Sequence, residues 1–396
     1  MDYTIFLWLA LIIISTKLLG IFAKKVDLPE VVGFLIAGII LGPSALNIIT
    51  ITGVNGDFLT DASELGVIFL MFSAGLTTEM EEMKKNMLAS FVVAVIGVAI
   101  PLLFGTITYA LFFKADLNDY TVFLEALFVG VVLTATSVSI TVQTLKELGH
   151  LNGAVGTTIL GAAVIDDILG IIVLTIVSSM KDTSVSPAKV VIQILLYAVL
   201  IAIVFLIVNK LEFKIADADH KRRAGLFAIA FALIMAYISE EYFGIADITG
   251  AYFAGLMLCM SKIRDYVDVK VSDISNMFFS CIFFACIGIK VTLGGMTREA
   301  WFFAVILTVV AILTKVIGCG LGAKVCGFKN KEALQIGVGM ISRGEVALIV
   351  ADKGASYGLV SEAMFPPVVL MVIVTTLITP LLLKLVFKGK SAPEAS

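Results

Sequence analysis

Charge is what this chain has least of: Asp, Glu, Lys and Arg make up 15% of its 396 residues, against 60% hydrophobic. That ratio leaves too little polar surface to clothe a water-soluble domain, and apolar runs recur from end to end, so the chain reads as a polytopic membrane protein. Cysteine is sparse and unpatterned. Cys259, Cys281, Cys286, Cys319 and Cys326 sit in or at the ends of apolar runs with no C-x-x-C spacing, so they read as small packed hydrophobes, not as a metal cage. The first apolar run lacks the basic flank and small-residue cleavage site of a secretion signal; the charge before it is Asp2, and it is kept as a membrane helix. No nucleotide motif, metal cluster or activated nucleophile occurs, so an enzyme is not expected and neither is a cofactor. The net charge of −3 says little about partners, and no nucleic acid is among those expected.

What is present is a succession of thirteen apolar spans, roughly 3–22, 29–46, 62–77, 87–113, 122–146, 153–180, 188–209, 223–240, 244–260, 270–292, 299–326, 331–354 and 363–388. Lys17, Lys315 and Arg343 lie inside spans. Of the remaining basic residues, 19 fall in or beside loops after odd-numbered spans, among them Lys24, Lys25, Lys84, Lys85 and Lys221-Arg222-Arg223, and six fall elsewhere. The positive-inside rule then puts the N-terminus outside and the C-terminus in the cytoplasm. His150 and His220 fall in expected cytoplasmic loops, a thin basis for a pH sensor.

An internal repeat runs through the spans. Gly33-Phe34-Leu35-Ile36-Ala37-Gly38-Ile39-Ile40-Leu41 in span 2 and Gly250-Ala251-Tyr252-Phe253-Ala254-Gly255-Leu256-Met257-Leu258 in span 9 share the pattern G-x-x-x-A-G-x-x-L. Span 3 (Phe72 to Leu76) and span 10 (Ala285 to Ile289) echo each other more weakly. A displacement of seven spans inverts membrane orientation, the arrangement of inverted-repeat transporters, whose sites lie at the midplane where interrupted helices meet. Spans 5 and 12 carry such interruptions. Thr134-Ala135-Thr136-Ser137-Val138-Ser139 crowds hydroxyls into the middle of span 5, and Gly337, Gly339, Ser342, Arg343, Gly344 and Glu345 occupy span 12. Irregular backbone at that depth is tolerated where it lines a cavity or is buried in protein, and its hydroxyls offer neutral ligands to a hard alkali cation.

Asp166 and Asp167 stand in the middle of span 6, where a carboxylate costs roughly 2.5–3.5 kcal/mol on insertion scales. Lys315, near the centre of span 11, is too deep to snorkel and needs an anion. Neighbouring helical residues point about 100° apart, so both aspartates cannot face one lysine. One pairs with Lys315, and the other faces the cavity, holding either a proton or a cation. Arg343 and Glu345 form a second intramembrane pair, reoriented by a break at Gly344 or each neutralising a different half-helix dipole. Glu125 and Asp247, near outer span ends, read as interfacial residues or as the lining of an outward funnel.

At these residues the chain resembles the second branch of the monovalent cation:proton antiporter superfamily. The matching stretches are Thr134 to Ile140, Ala163-Val164-Ile165-Asp166-Asp167-Ile168-Leu169-Gly170, Thr314-Lys315-Val316-Ile317-Gly318, and Gly339-Met340-Ile341-Ser342-Arg343-Gly344-Glu345-Val346-Ala347. The resemblance implies an all-α fold of about thirteen transmembrane helices with two crossed discontinuous helices. Asp167 looks like the ion- and proton-binding carboxylate, Asp166 like the partner of Lys315, and Thr136 and Ser137 like part of the first helix crossing, with Gly339 to Glu345 at the second. It further implies a homodimer. A dimerisation domain would comprise 1–77 and 223–292, a mobile core 87–180 and 299–388, a linker helix 188–209 and a cytoplasmic tail 389–396. The implied activity is elevator-type, electrogenic exchange of Na⁺ or Li⁺ for H⁺ across the cell membrane. The alternatives are K⁺/H⁺ exchange on the same fold, a passive cation channel, or a sodium-coupled organic-anion symporter. With only eight residues after span 13, glutathione-gated potassium efflux through a nucleotide-binding domain is not expected.

Overall fold

The computed structural model describes residues 3–26, 28–181, 187–215, 221–261, 264–290, 296–344, 346–347, 350–351, 354, 358–359 and 364–388. Among the described residues every regular element is a helix: α1 (Thr4–Lys25), α2 (Glu30–Leu41), α3 (Gly53–Thr77), α4 (Met80–Phe113), α5 (Tyr120–Thr134), α6 (Val138–Glu147), α7 (Ala154–Lys181), α8 (Pro187–Ile215), α9 (Lys221–Phe243), α10 (Asp247–Leu258), α11 (Arg264–Ile274), a π turn (Ser275–Phe279), α12 (Ser280–Ile289), α13 (Arg298–Val325), α14 (Asn330–Gly339) and α15 (Phe365–Phe387). In hydrocarbon a backbone that cannot reach water must satisfy its own N–H and C=O groups, and the helix does so within one segment. Each of the thirteen expected spans contains helix, and ten helical stretches have the length and hydropathy to cross a bilayer, among the described residues.

Several helices run past their apolar windows. α3 begins at Gly53, not 62, and α11 begins at Arg264, not 270. Both additions carry polar residues: Asn55, Asp57, Thr60 and Asp61 in the first, Arg264, Asp265 and Asp268 in the second. Hydropathy measures the thickness of the slab, whereas a helix continues as long as it has a face to pack. In α11 that face is Val267 and Val271, four apart and both buried. The polar opposite face is what a hydropathy window reads as loop.

The packing partners fall into two sets. In one, α4 lies along α13, α5 and α7 pack on α4, and α14 and α15 pack on α13. In the other, α2 packs on α1 and α12, while α10 packs on α3 and α9. The inverted repeat is visible in the second set as a pair of glycine crossings. A Cβ at Gly255 of α10 would strike the main chain of Phe72 and Leu76 on α3, and one at Gly75 of α3 would strike that of Tyr252 and Leu256. Gly38 of α2 and Gly288 of α12 oppose each other in the same manner. Spans 2 and 9 each lie against the third span of the other repeat, and at both places the two backbones touch. Between helices in lipid, close approach of small residues supplies the van der Waals contact that hydrophobic burial supplies in water.

α1 and α8 border the bundle. Only 22% of the apolar window of α1 and 6% of that of α8 is buried, and both present rows of large apolar side chains outward, Phe6, Leu7, Ile14 and Leu18 on one, Leu195, Leu196, Leu206 and Ile207 on the other. Such faces suit hydrocarbon or a second apolar surface.

Candidate functional site

The site begins at two interruptions. α5 stops at Thr134 and α6 starts at Val138, with Ala135 and Ser137 in extended conformations between them. α14 stops at Gly339, and residues 341–343 are non-helical before helical geometry resumes at Gly344. Gly344 has φ +48°, a left-handed backbone that glycine adopts without a Cβ penalty, and its Cα faces Ser137. The two breaks cross and are stitched together. Ser137 N–H donates to Ser342 C=O at 2.8 Å, and Thr141 Oγ1 donates to Gly339 C=O at 2.7 Å.

Arg343 is fully buried at this crossing. Its guanidinium donates to Ala135 C=O at 2.9 Å and to Ala311 C=O on α13 at 3.0 Å. Ala135 is the C-terminal cap of α5, where the peptide dipoles present partial negative charge, so a buried cation there satisfies an orphan carbonyl and opposes the half-helix dipole. The position of Arg343 in mid-membrane thus follows from the break in a different span. Glu345, its expected companion, lies outside the described residues, as do His220 and the 389–396 tail.

Lys315 on α13 reaches across to α7. Its ammonium lies 2.8 Å from Asp166 Oδ1, with the two side chains 0% and 1% exposed. Room for that reach comes from α4, where Gly97 lies beside Cys319 and close to the lysine's ammonium. Asp167, one residue on, is turned about 100° away from that pair. It is buried but retains 8% exposure. α7 packs against α5, α6 and α14, the three half-helix segments that meet at the crossing.

Several buried oxygens here have no protein partner: Thr136 Oγ1, Ser342 Oγ and Asp166 Oδ2. An unpaired polar group in an apolar interior is costly, and a region with three of them together with a second carboxylate offers a cation the neutral and charged oxygens it prefers. Ser342 joins the expected oxygens Thr136 and Ser137; position alone did not single it out from the other polar residues of span 12. Among the described residues no group of three or more His, Cys, Asp or Glu side chains is placed to hold a multivalent metal.

The remaining sequence candidates have ordinary surroundings. Glu125 accepts a hydrogen bond from Tyr109 Oη at 2.9 Å, tying α5 to α4. The carboxylate of Asp247 accepts from Ile248 N–H at the start of α10. His150 stacks on Phe387 with ring centroids 4.7 Å apart. The ammonium of Lys17 lies 5.9 Å above the ring of Phe34. None of the five cysteines is in a disulfide among the described residues; four are buried and Cys326 partly so.

Comparison with known proteins places this geometry. The family model described as "Sodium/hydrogen exchanger, transmembrane" matches residues 10–389. The chain is 40% identical over 394 residues to the Na⁺/H⁺-K⁺ antiporter GerN of Bacillus cereus, covering 98% of each chain, and 36% identical to a Na⁺/H⁺ antiporter of Enterococcus hirae, covering 95% and 96%. Its fold is similar to that of the sodium proton antiporter MjNhaP1 of Methanocaldococcus jannaschii, with a TM-score of 0.67 at 18% identity over 96% of both chains. The protein belongs to the sodium/hydrogen exchanger family of multi-pass membrane proteins, within the monovalent cation:proton antiporter superfamily.

Proposed function

We propose that the chain exchanges Na⁺ or Li⁺ for protons across the cell membrane, with Asp167 as the carrier of cation and proton. The observation that carries this reading is the division between the two aspartates. Lys315 neutralises Asp166 in a fully buried pair, and Asp167, turned about 100° away from that pair on α7, is the carboxylate this reading assigns to the mobile cation. A proton and a cation then compete for one carboxylate, and competition for a single alternating-access site is sufficient for exchange. Thr136, Ser137 and Ser342 supply neutral oxygens, and Arg343 holds the crossing together.

The two packing sets correspond to two roles in this reading. Residues 87–180 and 299–388 form the mobile core, residues 1–77 and 223–292 the fixed scaffold, and 188–209 the linker. The scaffold pairs with that of a second copy to make a homodimer, and the core moves as a unit past it. The distribution of basic residues among the loops supports an orientation with the N-terminus outside and the C-terminus in the cytoplasm. Movement of one net charge per cycle couples exchange to voltage by about 2.3 kcal/mol per 100 mV.

K⁺ is the second reading, favoured by the printed name of the Bacillus cereus relative, which includes both cations. Purified protein in liposomes with an entrapped pH dye separates the two. Na⁺ or Li⁺ added to the outside is expected to collapse an imposed proton gradient; a response to K⁺ alone selects the second reading, and a folded protein that answers none of the three ions fails both.

A further inference from the structure

A polar junction at the C-terminal end of α6 joins the two packing sets. Lys146, in the last turn of α6, places its ammonium 2.8 Å from Ser73 Oγ on α3 and 2.9 Å from Ser272 Oγ on α11. Both hydroxyls are tied to one carboxylate oxygen. Ser73 donates to Asp268 Oδ1 at 2.6 Å and Ser272 donates to the same atom at 3.3 Å. The proton count is consistent, since each hydroxyl gives its single hydrogen to Asp268 and accepts one from the ammonium.

The next residue grips a second helix. Glu147 Oε2 accepts from the backbone N–H of Glu30, the first residue of α2, at 2.8 Å. Gln143, one turn back, donates to the other oxygen of Glu147 at 3.0 Å, and Glu30 is itself ion-paired with Lys24. The end of α6 therefore holds α2 through one residue and the α3–α11 pair through its neighbour. α6 is the half of the broken span that leads from the Ser137–Ser342 crossing toward the end of the bundle carrying Lys24, Lys25, Lys84 and Lys85.

We propose that Lys146, seated on Ser73, Ser272 and Asp268, is the cytoplasmic gate of the transport cycle: while seated it closes the crevice between core and scaffold on that side, and its withdrawal opens the ion's path to the cytoplasm. The proposal rests on the antiport and orientation given above. The chemistry suits a contact that is made and broken repeatedly. An ammonium is a compact point charge on a flexible stem with three rotatable donors, so it docks without the fixed geometry a guanidinium demands. Two hydroxyls stand between it and Asp268, which ties it more loosely than a direct buried ion pair such as Lys315–Asp166. The small side chains of Ser73 and Ser272 also leave α3 and α11 in place when the lysine departs.

The test joins the two units covalently. In a chain whose five native cysteines are replaced, K146C and S272C are bridged by a short bis-methanethiosulfonate reagent whose span stands in for the lost lysine stem. The cross-linked protein in liposomes is expected to lose cation-driven proton flux by about tenfold or more and to regain it on reduction. Unchanged flux in the cross-linked protein overturns the gate while leaving the antiport reading intact. A folded native chain with no flux overturns the antiport reading, and the gate with it. Should K146C fail to fold, E30C with E147C bridges the same junction and carries the same expectation. A second measurement requires no flux: with K146M, a membrane-impermeant maleimide applied from the cytoplasmic side is expected to label Q143C several-fold faster than in the Lys146 chain. A merely structural role for the lysine would lower stability without changing the side from which position 143 is reached, and equal labelling rates overturn the proposal.

Discussion

The guanidinium of Arg343 and the carbonyl of Ala135, 208 residues apart in sequence, meet at 2.9 Å inside the membrane, and through them one broken helix caps the other. Replacing Arg343 with Ala strands the carbonyls of Ala135 and Ala311. Hydrogen bonds to a charged group contribute about 1.5–3 kcal/mol each, so a loss of about 3 kcal/mol is expected, read as a lowered midpoint in detergent unfolding. Lys retains the charge but not the fork, and is expected to recover less than half of that loss.

The Lys315–Asp166 pair is expected to be far costlier to break than to remove. Lys315→Ala leaves a buried carboxylate uncompensated, with an expected destabilisation of about 3–5 kcal/mol, whereas Lys315→Met combined with Asp166→Asn removes both charges and is expected to restore most of it. A double-mutant cycle on thermal stability measures the difference. Additive losses would show that the contact contributes no coupling.

Asp167→Asn is expected to abolish exchange in proteoliposomes while leaving the Lys315–Asp166 pair in place. Retained sodium-driven proton flux in that variant would move the carrier elsewhere.

If proton and cation compete for one carboxylate, the concentration of Na⁺ giving half-maximal flux rises as pH falls, on the order of tenfold per pH unit once the proton dominates, with the maximal rate unchanged. Flux titrations at three or four pH values check this. A maximal rate that falls while the half-saturating concentration stays constant would indicate separate sites.

Gly255→Ala places a methyl group against the main chain of α3, where no flexible side chain can give way. Overpacking of this kind costs about 1–3 kcal/mol, and the scaffold is expected to lose that much without change in the cation preference of the protein that remains folded.

Much of this architecture was legible beforehand because lipid allows the backbone so few options. Each of the thirteen spans announced itself by length and hydropathy, and Lys315 announced its need for an anion by depth alone. The repeat of Gly33-to-Leu41 in Gly250-to-Leu258 pointed to inverted symmetry, but it did not indicate that Gly255 would meet Gly75 and Gly38 would meet Gly288. What sequence could not convey were partners without a signature. Arg343 binds main-chain carbonyls, which every residue possesses, so nothing at Ala135 or Ala311 marked them. The Lys146 cradle is assembled from positions 73 and 126 residues away, contributed by one serine inside span 3 and another near the start of span 10. A hydropathy window marks neither serine within its span, and only packing brings them together.

The glycine crossings have a consequence for how this protein keeps its dimensions. Where Gly75 meets Gly255 and Gly38 meets Gly288, the spacing between helices is set by the hard contact of one main chain with another, not by side chains that can hop between rotamers. Those two points act as a fixed gauge. Lipid-facing residues on α1 or α8 can be exchanged for others of similar hydropathy, and bilayer thickness can vary, without altering the gauge. Any displacement that carries an ion between the two faces has to be accommodated by the helices that lack such a contact with the frame.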